Sequence, residues 1–324
     1  MKAIVQYKYG PPGDVLELQD IEKPAVKDEV VLLHVHAASA HIGDWHVITG
    51  LPYLIRIAGI GLRAPKARVR GMDVAGRVEA VGKDVTQFQP GDEVFGTCDG
   101  SFAEYATART DKLAHKPAEL TFEQAATVPT SGCTALQGLR DIGKVKPGLK
   151  VLIIGAAGGV GSFAVQIAKA FEAHVTGVCS TTKVDLVRSI GADEVIDYTR
   201  DDFAEKGRRY DLILDTAGKR SLSHLRRALA PRGTLVIVGA EGGGRWFGGI
   251  DRQLRAHMLS PFVGQKLGTF ISKENKDDLV ALKELIEAGK VTPVIDTTYP
   301  LSKVPEAIRH LEEGHARGKV AVTV

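Results

Sequence analysis

The period of the apolar positions changes about a third of the way along the chain. Before that point, short runs rich in β-branched residues are bounded by Gly, Pro and Asp: EVVLLHVHA (Glu29–Ala37), MDVAGRVEAVG (Met72–Gly82) and SFAEYATA (Ser101–Ala108). Such runs predict strands, and Gly82, Asp84, Pro90 and Gly91 supply turn residues between two of them. A succession of this kind predicts a small barrel-like β unit. Near Thr121 the pattern turns helical. Thr121 and Gln124 have capping-box spacing, Pro129 interrupts the helix they open, and TSGCTALQGLRDIG predicts a second helix ending at Gly143.

After the turn Lys146-Pro147-Gly148, strand and helix patterns alternate. LKVLIIG, HVTGVC, EVIDY, YDLILDTAG and GTLVIVG read as strands; the segment after Gly158, KVDLVRSIG and SLSHLRRALA read as helices. This alternation predicts right-handed βαβ units on a doubly wound parallel sheet. The chain ends with a helix at DDLVALKELIEAG, a strand through Val291 to Ile295, a helix at PEAIRHLEEG and a strand at KVAVTV.

A chain of 324 residues suits two domains, and 44% apolar with 25% charged residues is the balance of a globular protein. The net charge of +3 gives no electrostatic case for nucleic acid or a membrane surface as partner. Cys98, Cys133 and Cys179 are widely spaced, with no CxxC pair, so no disulfide framework is expected and a reducing cytoplasm is the simplest compartment. The N-terminal stretch, broken by Gly10, Pro11, Pro12 and Gly13, has no targeting pattern. One run, Val151 to Ala168, is uncharged and long enough to imitate a membrane span. Four glycines in its middle make it a buried strand, a turn and an amphipathic helix instead.

That turn, Gly155-Ala-Ala-Gly158-Gly159-Val160-Gly161, is spaced GxxGxxG rather than GxGxxG. Glycines between a strand and a helix let the backbone approach a pyrophosphate on the N–H groups of the helix start; the alternative is a turn with no ligand. Where an NAD site would carry an acid, roughly twenty residues on, the second strand ends in Ser180, Thr181, Thr182 and Lys183. Hydroxyls and an ammonium suit the 2′-phosphate of NADPH. They also suit a helix cap.

The N-terminal β unit, VPTSGCTALQGL, GAAGGVGSFAVQIAKA, the Ser-Thr-Thr-Lys stretch and IGADEVIDY, in that order, resemble the medium-chain dehydrogenase/reductases over essentially the whole chain. Within them the chain is most similar to the zinc-lacking quinone oxidoreductases and their reticulon-interacting-protein-like relatives. The resemblance implies a GroES-like β-barrel-type catalytic domain (1–124, completed by about 265–324), a Rossmann α/β domain (125–264) and a cleft between them. It implies NADPH as cofactor, with Gly155, Ala157, Gly158, Gly159 and Val160 at the pyrophosphate. Ser180, Thr181 and Lys183 would meet the 2′-phosphate and Tyr198 the adenine ribose. Thr134, Gly218, Val238, Gly239, Phe262, Val263 and Lys319 are further cofactor candidates by the same resemblance. It also implies a homodimer, with GTLVIVG as the candidate edge strand.

Two positions depart from the pattern: His41-Ile42 stands where relatives often have Asn-Pro, and Thr182 where some have Arg. The zinc members use Cys, a His-Glu pair and a further Cys. Here ASAHIGDW has no Cys, and the His-Glu position reads Gly71-Met72-Asp73. No metal is expected, although His34, His36, His41 and His46 cluster in sequence and leave an opportunistic site open. Without zinc to polarise an alcohol, hydride transfer to a quinone or α,β-unsaturated carbonyl is the simpler chemistry. His41, Tyr53 and Thr134 are candidate donors to the developing oxyanion and Asp44 an orienting residue, or, with Trp45, wall support. Arg56 to Arg70 could rim a site for anions or form a solvated face. The competing functions are a zinc-type alcohol dehydrogenase and a non-catalytic NADPH-binding interaction protein.

Overall fold

The strand-forming runs and the turn residues between them pair largely as their patterns require. The computed structural model describes residues 1–205, 207–239 and 244–324, so the start of the loop EGGGRWFGG lies outside the described residues. The elements begin with β1 (Lys2–Gln6), α1 (Pro12–Val15), β2 (Leu16–Asp20), β3 (Val30–Ala40), α2 (Ile42–Thr49), β4 (Asp73–Val81) and β5 (Glu93–Thr97). They continue with β6 (Tyr105–Arg109), β7 (Leu113–His115), α3 (Phe122–Ala126), α4 (Pro129–Gln137), β8 (Lys150–Ile154), α5 (Gly159–Ala170), β9 (His174–Cys179) and α6 (Val184–Ser189). Next come β10 (Glu194–Asp197), β11 (Tyr210–Asp215), α7 (Leu222–Ala228), β12 (Leu229–Ile237), α8 (Ile250–Leu259) and β13 (Lys266–Thr269). Last are α9 (Lys276–Glu287), β14 (Ile295–Pro300), α10 (Val304–Glu312) and β15 (Lys319–Thr323). No helix among the described residues is long and apolar enough to cross a membrane.

The chain forms two units. The first comprises Met1–Cys133, Glu274–Glu287 and Pro293–Val324. Its main sheet runs β14-β15-β3-β4-β5-β7, with β6 paired to β3, and β1 and β2 form a separate antiparallel pair. Along β3, Leu33 and Val35 are buried and join Val74, Val78, Val94 and Leu113 in one core cluster, while His34 turns outward. A second cluster gathers Ile4, Ala38, Ile48, Phe102, Val304, Ile308 and Val322 beneath α2 and α10.

The second unit, Thr134–Lys273 with Ala288–Thr292, is the α/β unit. Its six strands are all parallel in the order β10-β9-β8-β11-β12-β13, the doubly wound Rossmann order. Leu152, Ile154, Val178, Ile213, Leu225, Leu235 and Ile237 are buried in its core.

Several expectations need correction. The domain limits at 124/125 and 264/265 fall later, after Cys133 and Lys273. The reason is packing: α3 contacts β3 and β4 of the first unit, and β13 pairs with β12 of the second. The last strand expected from Val291 starts only at Ile295, because Thr292 is tied to α5, its N–H donating to Gln166 Oε1 (2.8 Å) and its carbonyl accepting from Gln166 Nε2 (3.0 Å). The helix expected to end at Gly143 does reach it, but its last turn, Gly138–Ile142, is π-helical, with the capping Gly143 N–H bonding Gly138 O at 2.9 Å. GTLVIVG is not an edge, since β13 covers the outer side of β12.

Candidate active site

In the α/β unit, β8 delivers the chain to the glycine turn at the point where the strand order reverses, which is where open parallel sheets bind ligands. Gly155 has φ +81°, and a Cβ there would lie 2.6 Å from Thr216 Oγ1 at the end of β11. A Cβ on Gly161 would meet Gly155 O at 2.1 Å. Gly161 is thus demanded by close approach of backbone to backbone, and Gly155 by its positive φ. Gly158 caps α5 in extended conformation, and Ala157, Gly159 and Val160 complete the turn and the helix start. The first-turn N–H groups of α5 lack partners inside the helix and carry its positive dipole end. A pyrophosphate fits this cradle.

The neighbouring strand ends supply the next group of candidates. Ser180 and Thr181 begin a short turn that ends at Lys183, whose N–H bonds Ser180 O at 2.9 Å. Tyr198 follows β10, half exposed, with its N–H on Cys179 O and the Arg220 guanidinium 5.7 Å from its ring centre. Arg220 was not foreseen; it follows β11, far in sequence from the β9 end. Nor was Asp197, which accepts from Thr181 Oγ1 at 2.5 Å, from Thr199 N at 3.0 Å and from Thr199 Oγ1 at 2.8 Å. The Thr181 hydroxyl bond, foremost, holds the Asp197 carboxyl below its ordinary range. Burial pushes the Cys179 thiol up to about 11, so it stays a thiol.

At the ends of β11 and β12, Asp215 is fully buried and organises the backbone around it. Its carboxylate accepts from the N–H groups of Ala217 and Gly218, and its carbonyl from those of Val238 and Gly239. Arg252 of α8 completes the group, with Nη1 2.7 Å from Asp215 Oδ2 and Nη2 3.0 Å from Gly239 O. The turns carrying Gly218 and Gly239, after β11 and β12, are therefore anchored on one residue, and the Asp215–Arg252 pair behind them went unread. An acid directly after the apolar run Leu212-Ile213-Leu214 of a parallel strand was the available signal. Phe262 lies apart from these turns in the chain's packing: it lines an open groove with Leu222, Arg226 and Met258, while Val263 packs on the core of the unit.

In the β unit, His41 caps α2. Its N–H donates to Asp44 Oδ2 at 3.0 Å, and its imidazole Nε2 lies 3.5 Å from the same oxygen. That ring nitrogen is buried and makes no hydrogen bond. Gly43 leaves room for the ring, since a Cβ there would stand 2.7 Å from His41 Nδ1. Burial lifts the Asp44 carboxyl above the ordinary aspartate range, against the pull of His41. Tyr53 is half-buried under the Arg56 guanidinium, 4.8 Å from its ring centre. Arg56 itself donates to the carbonyls of Gly50 and Thr49, so part of the basic run is spent on local structure. His34 and His36 stack on Tyr105 and Phe122, respectively.

Asp73 is fully buried, as is Lys319, whose Nζ lies 3.4 Å from Asp73 Oδ2 and 3.0 Å from Ser131 Oγ. The Lys319 ammonium thus faces Asp73 inside the β unit. No group of three or more His, Cys, Asp or Glu side chains among the described residues is arranged to hold a metal. Burial and nearby Asp99 and Asp73 raise the Cys98 thiol. These residues do not fit a zinc ligand set. Thr134, also buried, lies on α4 beyond Ser131.

Comparison with known proteins now bears on this geometry. A family model described as an alcohol dehydrogenase GroES-like domain matches residues 27–118, and one described as a zinc-binding dehydrogenase matches residues 190–322. The mitochondrial NAD(P)H oxidoreductase RTN4IP1 of Mus musculus is 34% identical, over 100% of this chain and 89% of the relative. The chloroplastic NADPH-dependent alkenal/one oxidoreductase of Arabidopsis thaliana is also 34% identical, over 99% of this chain and 79% of the relative. The solved quinone oxidoreductase from Coxiella burnetii superposes with a TM-score of 0.87 at 29% identity, covering 100% of this chain and 99% of that one. The chain belongs to the zinc-lacking quinone oxidoreductase branch of the medium-chain dehydrogenase/reductases. The GroES-like match falls within the β unit, and most of the dehydrogenase match falls within the α/β unit. The zinc named in that second description finds no ligand set among the described residues of this medium-chain reductase.

Proposed function

We propose that this medium-chain reductase is a zinc-independent enzyme that uses NADPH to reduce a quinone or an α,β-unsaturated carbonyl. The observation that carries the reading is the end of β9. Ser180, Thr181 and Lys183 stand there, the Arg220 guanidinium lies near the Tyr198 ring, and the Asp197 carboxylate accepts from Thr181 and Thr199. A 2′-phosphate is matched by that set. The names of the relatives, an NADPH-dependent alkenal/one oxidoreductase and a quinone oxidoreductase, support the cofactor and the acceptor class. Bound NADPH supplies the hydride.

The chain's own residues have three tasks in this reading. The glycine turn and the start of α5 hold the pyrophosphate. Gly218, Val238 and Gly239, made rigid by Asp215 and Arg252, back the nicotinamide, with Thr134 beside it. His41 supplies the proton that balances hydride addition, its ring kept in place by Asp44 Oδ2, 3.5 Å from Nε2. Asp44 holds the imidazole, and Tyr53 is the second candidate donor to the developing oxyanion. A homodimer joined along β13 and a cytoplasmic location complete the proposal, the latter supported by three buried free cysteines.

The test is oxidation of NADPH, followed by its absorbance, against an ortho-quinone and a 2-alkenal, with NADH in parallel and a chelator present. Turnover that resists the chelator and prefers NADPH is expected. Equal use of NADH would sink the cofactor assignment, and loss of activity with chelator the zinc independence. Saturable NADPH binding without oxidation would favour a non-catalytic role.

A further inference from the structure

Asp73 and Lys319 form a charged pair with almost no access to water, at 0% and 1% exposure. Pairs of this kind contribute little net stability, because desolvation offsets their attraction. What distinguishes this one is where its remaining bonds go. Asp73 Oδ1 accepts from the backbone N–H of Thr130 at 3.0 Å and from Thr130 Oγ1 at 2.5 Å, while Lys319 Nζ donates to Ser131 Oγ at 3.0 Å. Both charges therefore close on the first turn of α4. The Asp73 carboxylate serves as a cap supplied from 57 residues away, on an orphan N–H and the positive end of the helix.

The supporting backbone is equally constrained. Gly71, with φ +92°, leads into Asp73, and a Cβ there would stand 2.4 Å from Ser101 Oγ. Gly318, with φ +103°, leads into Lys319, and a Cβ there would stand 2.4 Å from Val294 O. Lys319 N–H bonds Val294 O at 2.8 Å. Each charge thus sits at the start of a strand, β4 or β15, behind a glycine that admits no other residue without a shift. Thr134 lies four residues after Thr130 and three after Ser131 on α4, so it shares their helix face.

We infer that Asp73 and Lys319 are positioning residues: a fixed-charge clamp on the start of α4 that sets the place of Thr134. The inference rests on the reading above that Thr134 stands beside the nicotinamide. The clamp joins the starts of β4 and β15 and orients a helix with paired charges. Small displacements of a group beside the reacting atoms are enough to slow hydride transfer by about ten- to a hundredfold.

The experiment compares the wild type with Asp73→Asn, Lys319→Met and the double variant, in which neither charge is stranded. Melting, amide hydrogen exchange of the segment 129–137, kcat, KM for NADPH, and the deuterium isotope effect of the transferred hydride are read together. In the double variant we expect near-native melting, faster exchange in α4, and kcat lower by about ten- to a hundredfold. KM for NADPH should stay within roughly threefold, and the isotope effect should rise as hydride transfer becomes limiting. Native exchange in α4 overturns the clamp, as does unchanged kcat and isotope effect in a folded double variant. A loss confined to KM for NADPH overturns it too, and makes Lys319 a cofactor ligand. If the wild type itself oxidises no NADPH, the functional reading fails on its own, and exchange in α4 still decides the clamp.

Discussion

At the scale of single residues, the arrangement around His41 depends on what Gly43 lacks. Gly43 lies in the first turn of α2, where alanine would ordinarily favour the helix by up to about 1 kcal/mol. Its Cβ would nevertheless fall 2.7 Å from His41 Nδ1 and 2.8 Å from Cε1. The imidazole is the movable partner in that collision. Gly43→Ala is therefore expected to keep or slightly raise the melting temperature while turning the ring off its 3.5 Å approach to Asp44. Turnover should fall by about tenfold or more with NADPH affinity kept, which steady-state kinetics and a cofactor titration measure together. Wild-type turnover in this variant would remove His41 from the proton step.

At the scale of elements, the end of β9 should decide between the two nicotinamide cofactors. Charge-assisted bonds to a phosphate contribute about 1.5–3 kcal/mol each, or roughly ten- to a hundredfold in affinity. Lys183→Ala is expected to weaken NADPH by that factor while leaving NADH nearly unchanged, and Arg220→Ala to do so more weakly, since its guanidinium lies near the Tyr198 ring. Parallel fluorescence titrations check this; equal losses for both cofactors would place these residues away from the phosphate. Much of this element was legible beforehand. Strand β8, the glycine turn and α5 follow from an uncharged run broken by glycines, and the Thr121 capping box is present, with Gln124 N–H on Thr121 Oγ1 and Thr121 N–H on Gln124 Oε1. What stayed hidden depends on distant partners. β1 and β2 pair across a segment dense in Gly and Pro, and β13 is only four residues long and carries a glycine. Arg252, Arg220 and Asp197 reach the site through folds of the chain that no local period encodes.

At the scale of the whole molecule, the edges of the α/β sheet bear on the proposed homodimer. The edge strands are β10, with Glu194 and Asp197 along it, and β13, whose sequence KLGT carries a single charge. Charge protects an edge from pairing, and its scarcity invites it. Beside β13, Phe262 is 85% exposed and Ile271 89%, with Leu254 and Met258 of α8 also turned outward. Two copies of β13 related by a two-fold axis can pair antiparallel, each strand meeting its own equivalent, so the same apolar side chains are buried from both copies at once. A dimer built this way predicts that a charge at the flank is felt twice per interface. Phe262→Glu should convert the dimer to monomer in light scattering at micromolar concentration, while the same change at Ile57, an exposed apolar residue of the β unit, should leave the mass unchanged. A wild type that is already monomeric, or a Phe262→Glu variant that remains a dimer, would rule out this edge as the contact.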